Sequence, residues 1–408
     1  MTTCDSGDHK ANTCDDGEIS AADAVWSHGE GDLQNTKRAS GIRQKGCFTG
    51  PTTTPTIQWS SDLGGPGTAA APVIGDDGTI YIVGEYPGEP KGGGIRNAGL
   101  MAISPQGTLK WFFSKSLDIG NSEGAYYTNS VAIGRNGTIY IGLWDSTFYA
   151  LNLDGTIKWK YRTTRFFSGN PVIDEHDNVY VGMDTIFCFT PDGHIRWKFA
   201  DTAVTQWCVK ITLDQDAIYC GYLGSGIVAL TYNGQKKGFY SNDFGYSAHA
   251  GILVDQSHNL YFKTNGNILN SIDRNGNFRW AGSVDVIGGM SEPALRGDYL
   301  YFGSFLGVYE LDKKTGTEIT TLTGLPQGRY VNSDVSPLID DNGVIYIGAG
   351  YGGLSAVTNG ANKLWETVIP QADQTEFSGY MSLSPDGTLY IATSDFDNQS
   401  VNRLYAIR

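Results

Sequence analysis

The sequence lacks several features that large classes of protein require. No apolar run approaches the roughly 18 residues of a membrane span, and no extended stretch repeats apolar residues at helical spacing. Basic residues are scarce. The chain has 29 Lys and Arg and 43 Asp and Glu, which gives a net charge of −14. Nucleic acids and anionic membranes both select basic surfaces. We therefore expect neither of them as a partner.

Motifs of the common catalytic and metal sites are also missing. No order of Ser, His and Asp indicates a catalytic triad, and the six histidines show no paired metal-ligand spacing. Acidic residues do cluster in "DEHDN" (174–178) and "LDQDA" (213–217). We expect both clusters in tight turns, where Asp and Asn side chains bond to the backbone. The sequence therefore predicts a site without a metal ion.

Eight tyrosines mark an internal repeat. Each closes a short apolar strand that follows a turn, as in "DDGTIYIVG" and "PDGTLYIAT". Six of the seven intervals between them measure 39 to 45 residues. A period near 40 to 45 residues made of strands and turns is typical of a β-propeller. The tyrosines are Tyr81, Tyr140, Tyr180, Tyr219, Tyr261, Tyr301, Tyr346 and Tyr390.

A tryptophan strand such as "DGTIKWKY" accompanies each tyrosine strand. Six units carry the tryptophan, and we expect Phe239 and Ile319 to replace it in the other two. The repeats begin with the strand around Trp59 and end one strand after Tyr390, at "RLYAIR". We therefore predict an all-β, eight-bladed β-propeller of four-stranded antiparallel blades over residues 51–408, its last blade closed by the N-terminal strand. Residues 1–50 are predicted to form an irregular arm.

The strand order separates two faces of the ring. The turns between strands one and two ("DDG") and between strands three and four ("LDG") are tight and share one face, the tight-turn face. Longer connections, such as residues 85–99 and 323–334, lie on the opposite, long-loop face. Function concentrates in variable loops on a rigid frame. We therefore expect the site on the long-loop face, at the mouth of the central channel.

Residues just before each innermost strand are predicted to ring this mouth. Many are aromatic and few are charged, which suits an apolar or aromatic small molecule oriented by Tyr, His and Asn hydrogen bonds. The alternative for any one aromatic is that it only fills the channel. We expect a monomer with a small-molecule substrate. The ring is Tyr126, Tyr127, Asn129, Arg165, Phe166, Phe167, Gln206, Trp207, Tyr246, His249, Met290, Glu292, Asn332, Asp334, Glu376, Phe377 and Tyr380, with Trp144 and Asp145 leaning in from a neighbouring loop.

Three of these residues are predicted to be catalytic. His249 supplies an acid or base, Tyr246 a hydroxyl donor and Arg165 the clearest cation of the mouth. They precede innermost strands of nearby blades, which brings them together across 84 residues of sequence. The predicted substrate-binding residues are Trp207, Tyr127, Asn129, Phe167, Trp144, Glu292, Asp334, Phe377 and Tyr380.

Six cysteines allow disulfides. Cys208 and Cys220 flank a turn centred near Asp214, so we predict that they lie opposite each other on adjacent strands and form a bridge. In the arm, a further bridge between the first two cysteines would close a small loop. The remaining cysteines of the chain are Cys4, Cys14, Cys47 and Cys188.

The predicted location is the secretory pathway or the cell exterior. The opening "MTTCDSGDHKANTC" is typical of a mature secreted start placed after an initiator Met. The even number of cysteines agrees with an oxidising compartment, and sequons at Asn136 and Asn398 are compatible with a glycoprotein. The alternative is a cytosolic protein with six reduced thiols.

The repeat units resemble those of a known family. The segments "SPLIDDNGVIYIGA" and "FYALNLDGTIKWKY", after the opening "WSHGEGDLQNTKRAS", are similar to the PQQ-like β-propeller repeat proteins over about residues 25–408. The resemblance implies eight blades. Family members include quinoprotein alcohol dehydrogenases and an outer-membrane assembly lipoprotein that is a scaffold. The dehydrogenases stack adjacent cysteines on their quinone, and no two cysteines here are adjacent. We therefore predict a non-quinoprotein member without a cofactor.

Three functions remain as hypotheses. The chain is broadly similar to secreted fungal propellers of polysaccharide elimination or hetero-Diels–Alder chemistry in secondary metabolism, which favours a cofactor-free enzyme for a small, largely apolar or aromatic substrate. Containment and orientation alone contribute to cyclisation, cycloaddition or elimination. The second is a polysaccharide lyase or sugar-binding propeller using Arg165 with Tyr246 or His249, although an acidic protein should repel a polyanion. The third is a non-catalytic interaction scaffold, which needs exposed apolar patches away from the channel.

Overall fold

The structure is a computed structural model that describes most of the chain from Phe48 onward. The described residues are 48–64, 71–85, 95–118, 130–143, 145–165, 167, 169–201, 208–222, 226–241, 251–263, 268–282, 293–304, 307–322, 336–349, 353–358, 362–369, 376–394 and 402–408. This part of the chain contains no helix that is long and apolar enough to cross a membrane.

The described residues form 32 strands, which assemble as eight blades. Blade 1 contains β2 (Val73–Ile74), β3 (Ile80–Glu85), β4 (Ile95–Ile103) and β5 (Leu109–Asp118). Blade 2 contains β6 (Ala132–Ile133), β7 (Ile139–Leu143), β8 (Thr147–Leu151) and β9 (Ile157–Arg162). Blade 3 contains β10 (Val172–Ile173), β11 (Val179–Val181), β12 (Ile186–Phe189) and β13 (Ile195–Phe199). Blade 4 contains β14 (Cys208–Leu213), β15 (Ile218–Tyr222), β16 (Gly226–Leu230) and β17 (Lys236–Ser241).

The second half of the ring repeats this order. Blade 5 contains β18 (Leu253–Val254), β19 (Leu260–Lys263), β20 (Leu269–Ile272) and β21 (Phe278–Ala281). Blade 6 contains β22 (Ala294–Arg296), β23 (Tyr299–Ser304), β24 (Gly307–Asp312) and β25 (Glu318–Leu322). Blade 7 contains β26 (Leu338–Ile339), β27 (Val344–Ala349), β28 (Gly353–Thr358) and β29 (Asn362–Val368). Blade 8 contains β30 (Glu376–Leu383), β31 (Leu389–Ser394), β32 (Asn402–Ile407) and, from the N-terminal side, β1 (Ile57–Gly64).

The predicted architecture is confirmed. Every blade is a four-stranded antiparallel sheet, and the last has the order β1-β32-β31-β30. Trp59 of β1 pairs with Ala406 of β32, so strands from both ends of the chain close the ring. Closure gives the C-terminal strand a partner on its outer side. The prediction of a separate arm over residues 1–50 concerns mostly residues outside the described ranges.

The hydrophobic core lies between the faces of neighbouring blades. The strand-two sequences are rich in Ile, Val and Tyr, which favour the pleated, buried strand conformation. Between blades 1 and 2, for example, Val73 and Tyr81 pack in one cluster with Ile139, Ile141 and Tyr149. All eight repeat tyrosines are buried. The tyrosine repeat is therefore primarily a packing repeat.

Tryptophans of the outer strands bond neighbouring blades to each other, and we call this contact the interlock. Trp280 donates from Nε1 to the Lys313 carbonyl, in the tight turn between strands three and four of the next blade, at 3.0 Å. Its indole lies on Gly316 of that turn, where a Cβ atom would come within 2.3 Å of the ring. Gly316 also has φ +69°, a conformation that favours glycine. The same bond, at 2.8–2.9 Å, joins Trp59 to Pro105, Trp111 to Leu153, Trp159 to Pro191 and Trp197 to Tyr232.

The predicted replacements for tryptophan in blades 4 and 6 were wrong by one residue. In other blades the tryptophan lies opposite the strand-three residue that pairs with the repeat tyrosine, as Trp159 lies opposite Ala150. In blade 4 this register position is held by Gly238, opposite Ala229. In blade 6 it is held by Thr320, opposite Glu310. In blade 4 the interlock is made by Tyr240, whose hydroxyl donates to the Arg274 carbonyl at 2.7 Å. The physical reason is a bulge in each outer strand, which fixes the register position four residues after the turn glycine.

The Cys208–Cys220 disulfide is confirmed, but its predicted register was wrong. The two Cα atoms are 5.9 Å apart, within the span of protein disulfides. Cys208 lies opposite Tyr222, and Cys220 lies opposite Ile211, so the bridge crosses the ladder diagonally. The turn is centred after Asp214, because Leu213 pairs with Ile218 and a bulge follows Cys208.

Cys188 is expected to resist alkylation in the folded protein. This free cysteine is fully buried in β12, and burial raises the pKa of its thiol to about 12. Because the thiolate is the reactive form, iodoacetamide at pH 8 should leave Cys188 unmodified until denaturant is added. Peptide mapping measures this, with the denatured chain as control. Equal alkylation of the Cys188 peptide in native and denatured samples would contradict the prediction.

Candidate functional site at the long-loop mouth

The strand-two tyrosine defines the start of each innermost strand. In every blade it pairs with one residue of that strand, as Tyr81 pairs with Val73 and Tyr219 with Thr212. Because the innermost strand runs from the long-loop face to a tight turn, the residue two positions earlier lies nearer the mouth. We call these the throat positions, and those within the described ranges are Ala71, Ser130, Asn170, Lys210, Gly251, Ser336 and Tyr380.

Hydrogen bonds link throat positions of neighbouring blades. The Ser130 amide donates to Asn170 Oδ1 at 2.7 Å, and the Ala71 amide donates to Ser130 Oγ at 2.9 Å. Ala71, Ser130 and Ser336 are buried. Asn170 and Lys210 are partly exposed. Among the throat side chains that the structure describes, those of Asn170 and Lys210 are therefore the polar ones that reach solvent.

Lys210 is a cation that sequence reasoning missed. It belongs to β14, which begins at Cys208. The start of this strand is held within blade 4 by the Cys208–Cys220 disulfide, and it is held to blade 3 by the Cys208 amide, which donates to the Met183 carbonyl at 2.9 Å. No local motif marks Lys210, because its place depends on the pairing of Thr212 with Tyr219. Counting back two residues from the partner of Tyr219 reaches Lys210. The long-loop side of blades 3 and 4 thus carries a second basic residue besides Arg165.

Arg165 lies on the long-loop face, in the connection from β9 to β10. Its Nε is 3.3 Å from Asp184 Oδ2, in the turn between strands two and three of blade 3, and its side chain is 59% exposed. The Thr163 hydroxyl donates to the Arg165 carbonyl at 2.5 Å, which fixes the backbone. An exposed ion pair contributes about 0–1 kcal/mol. The guanidinium can therefore exchange Asp184 for another anion at little cost.

Phe167 belongs to the core between blades 2 and 3. Its side chain is fully buried, and its ring centre is 5.3 Å from that of Phe148 and 6.3 Å from that of Phe187. A Cβ atom at Gly142 would lie 2.4 Å from the Phe167 Cβ, so the two blades meet tightly here. A fully buried ring has no surface to offer a substrate. The structure thus assigns Phe167 a packing role.

Asp145 is engaged within its own blade. Its Oδ1 accepts the Thr147 amide at 3.0 Å, and its Oδ2 accepts the Tyr149 hydroxyl in a short hydrogen bond. Burial, together with this bond to Asp145, raises the pKa of Tyr149 to about 12, so the phenol stays protonated. Asp145 therefore orders the turn into β8.

The other predicted site residues are placed only in part. Phe377 and Tyr380 lie within β30, not before it, and a register shift falls between Phe377 and Met381. Their backbone is described, whereas their side chains are not. Outside the described residues lie His249, Tyr246, Trp207, Tyr127, Asn129, Trp144, Glu292 and Asp334. Their roles stay predictions.

Carboxylates of the tight-turn face serve the turns themselves. Asp174 Oδ1 accepts the backbone amides of His176 and Asn178, at 2.9 and 2.8 Å. Its Oδ2 accepts the hydroxyl of the repeat tyrosine Tyr180 at 2.8 Å. Asp255 and Asp340 bind the repeat tyrosines of their own blades in the same way. These acids therefore join each turn to the core.

A histidine and a buried aspartate also meet on the tight-turn face. His258 Nδ1 lies 2.8 Å from both carboxylate oxygens of Asp214, which has no exposed surface. The two residues occupy equivalent turns of blades 5 and 4. Asp177 occupies the equivalent turn of blade 3 and also bonds to the preceding blade, because its Oδ1 accepts the Arg135 amide of blade 2 at 2.8 Å. The His258–Asp214 pair thus takes a position that joins blades.

Comparison with protein families identifies the repeat. The model PQQ_2, described as outer membrane protein assembly factor BamB, matches residues 96–316 and 182–408. The chain belongs to the PQQ_2 family. This confirms the resemblance to PQQ-like repeat propellers. No curated protein sequence matches the chain at a significant level.

Solved structures similar to this PQQ_2 chain share its fold at low sequence identity. Quinohemoprotein alcohol dehydrogenase from Comamonas testosteroni has a TM-score of 0.69 and 14% identity, over 95% of this chain and 81% of that one. BamB from Moraxella catarrhalis has a TM-score of 0.61 and 15% identity, over 86% of this chain and all of that one. A europium-containing methanol dehydrogenase has a TM-score of 0.65 and 13% identity, over 94% and 98% of the two chains. These likenesses establish the fold alone.

Within the ranges that the structure describes, no group of three or more His, Cys, Asp or Glu side chains is arranged to hold a metal ion. Most of the predicted mouth lies outside those ranges. For this PQQ_2 member, the site without metal or cofactor stays a prediction.

Proposed function

We propose that this chain is a cofactor-free enzyme that converts a small, largely apolar or aromatic molecule at the long-loop mouth. The reaction class is a non-redox cyclisation, a cycloaddition of the hetero-Diels–Alder type or an elimination. One observation carries the proposal. Asp174, Asp255 and Asp340 of the tight-turn face hold their own turns, whereas the long-loop side carries the partly exposed Asn170 and Lys210 and the exposed Arg165, which pairs with Asp184.

In the proposed mechanism, the mouth orients the substrate and polarises it. Aromatic residues such as Trp207 form the walls and exclude water. Arg165 and Lys210 donate to a carbonyl or carboxylate oxygen and stabilise charge that develops there. Tyr246 and His249 donate or accept the proton that a cyclisation or elimination moves. Holding the reacting atoms in place contributes the remaining acceleration.

The proposed location is an oxidising compartment. The support is the Cys208–Cys220 bridge, because disulfides persist in secreted proteins and are rare in the cytosol. The proposed partner is the small-molecule substrate alone, with the protein as a monomer. Non-reducing peptide mapping of the protein from its own source tests the compartment, since free thiols at both positions would contradict it.

Lys210 favours the polysaccharide lyase as a second candidate. An acidic protein with a single cation at its mouth should repel a polyanionic substrate. Two basic residues on neighbouring blades, Arg165 and Lys210, could neutralise a uronate carboxylate, with Tyr246 or His249 as base and acid. The net charge is also a poor guide to this face, because many acids lie in tight turns on the other one, including Asp174, Asp214, Asp255 and Asp340.

Exposed apolar side chains on the outer strands favour the scaffold as a third candidate. Phe278 and Ile319 are 54% and 50% exposed, and Ile157 and Ile195 occupy the same outer strands of other blades. Such residues lie away from the channel, where a scaffold would bind its partners. They are spread around the ring one blade at a time. A contiguous patch would favour the scaffold more strongly.

Native mass spectrometry of the full chain, purified from its own source, tests these functions against each other. We expect one small apolar or aromatic molecule per chain, retained by the protein and lost in Trp207→Ala. Phe278→Ala, which removes an exposed ring of the outer surface, is the matched control and should retain it. A bound oligosaccharide would replace the proposal with the lyase. A stoichiometric protein partner without any small molecule would replace it with the scaffold.

A further inference from the structure

Within the described residues, two contacts between neighbouring blades lack a hydrogen bond from a Trp or Tyr of the outer strand to the turn between strands three and four of the next blade, and both contacts border blade 7. In blade 6, Thr320 occupies the register position of the tryptophan. Blade 7 does have its tryptophan, Trp365, opposite Ala356. However, strands three and four of blade 8 are β32 and β1, from opposite ends of the chain. No turn connects them, so Trp365 cannot use the acceptor that other blades provide.

Pro51 supplies the missing acceptor. The Trp365 Nε1 donates to the Pro51 carbonyl at 2.7 Å. Pro51 precedes outer strand β1 along the chain, just as Pro105 and Pro191 precede the outer strands β5 and β13 and accept from Trp59 and Trp159. The segment before β1 therefore takes the place of a turn that the circular closure removes.

Residues before Pro51 are bound to the tight turn between strands one and two of blade 7. The Phe48 amide donates to Asp341 Oδ2 at 2.7 Å, and the Asp341 amide donates to the Phe48 carbonyl at 2.9 Å. The Gly50 amide donates to Asp340 Oδ2 at 3.0 Å. Phe48 is 1% exposed and packs in the same cluster as Trp365.

Glycine is required at position 50. A Cβ atom at Gly50 would lie 2.5 Å from the hydroxyl oxygen of Tyr346, which is itself bonded to Asp340. The main chain thus lies directly against the blade. This close fit distinguishes the segment from one that crosses the surface loosely.

The same turn of blade 7 also receives blade 6. Arg296 donates from Nη2 to the Asp341 carbonyl at 2.9 Å. A Cβ atom at Gly343 would lie 1.6 Å from Arg296 Nη1. The guanidinium therefore packs directly on this turn glycine, as the tryptophans of other blades pack on theirs. Asp341 therefore contacts blade 6 through its carbonyl and the N-terminal segment through its amide and carboxylate.

We infer that residues 48–51 form a strap that closes the ring, and that release of the strap opens blade 7 before the other blades. Proteins open locally where buried contacts are fewest. With the strap bound, blade 7 has an acceptor for Trp365 and a buried phenylalanine. Without it, blade 7 keeps its own β-sheet pairing, the bond from Arg296 and the hydrophobic packing against blades 6 and 8, but Trp365 loses its acceptor and the core between blades 7 and 8 loses Phe48. The inference is independent of the chemistry proposed for the mouth.

Hydrogen–deuterium exchange of the full chain tests the strap with two matched pairs. Trp365→Phe and Trp111→Phe each remove one indole donor, the first to the strap and the second to Leu153. Phe48→Ala and Phe189→Ala each empty a buried aromatic position. We expect exchange in β26–β29 to rise about two- to tenfold in Trp365→Phe and more than about tenfold in Phe48→Ala.

The controls decide whether the effect is local. Trp111→Phe should raise exchange at the seam of blades 1 and 2, and Phe189→Ala in blades 2 and 3, with blade 7 unchanged in both. Unchanged exchange of blade 7 in Trp365→Phe, or an equal rise in all blades, would overturn the inference. If Phe48→Ala fails to fold, the conservative Trp365→Phe still gives the answer.

Discussion

Trp280→Ala is expected to lower the free energy of unfolding by about 3–5 kcal/mol, the range for emptying a large buried aromatic position. Trp280 is 6% exposed, packs against Tyr261 with the two rings tilted and their centres 5.8 Å apart, and donates to the Lys313 carbonyl of the next blade. The substitution therefore removes packing in one blade and the bond to another. Denaturant unfolding measures the loss, and Phe278→Ala, an exposed position of the same strand, should change stability by less than about 0.5 kcal/mol.

A double-mutant cycle tests whether the tryptophan acts through the turn glycine. In Gly316→Ala the new methyl group displaces the indole, which lies 2.3 Å from the Cβ position. In the Trp280→Ala background that clash is absent, and only the strain of φ +69° remains. The two losses should therefore sum to more than the loss of the double variant. Additive losses would show that the two residues stabilise the fold separately.

The sequence predicts the fold well because one unit is repeated. The eight tyrosines and the Trp59 strand determine blade number and ring closure, since each blade must bury the same face against its neighbour. The errors lie where a bulge changes the register. Phe239 lies one residue after the register position of the tryptophan and Ile319 one residue before it, because the bulge fixes that position four residues after the turn glycine whichever residue stands there. A bulge after Cys208 likewise shifts its pairing to Tyr222.

The site is harder to predict, because it is assembled from different blades. Lys210 reaches the throat by the pairing of Thr212 with Tyr219, which no local motif marks. Phe167 precedes an innermost strand, which predicts a place at the mouth, yet its ring packs between blades. Position along the chain gives the height of a residue in the ring. The contacts with neighbouring blades show where its side chain points, as those of Phe167 with Gly142 and Phe148 do.

His249→Ala and Tyr246→Phe are expected to lower turnover about 10- to 1,000-fold while the protein stays folded, the range for losing one positioned acid, base or donor. Trp207→Ala should instead raise the Michaelis constant, because it removes an aromatic wall and leaves the proton-transfer groups in place. Lys210→Gln and Arg165→Gln should both lower the affinity for a substrate that carries an anionic oxygen. Steady-state kinetics on the molecule found by native mass spectrometry measures all five variants.

The controls for this prediction come from the tight-turn face. His176 is exposed there, and Tyr299 lies at the start of β23, so His176→Ala and Tyr299→Phe remove the same functional groups far from the mouth. Both should keep wild-type turnover. Unchanged kinetics in His249→Ala, Tyr246→Phe and Trp207→Ala together would move the reaction away from this mouth and favour the scaffold. A loss confined to Lys210→Gln and Arg165→Gln would instead indicate a binding site for an anionic ligand, in which charge and not proton transfer governs function.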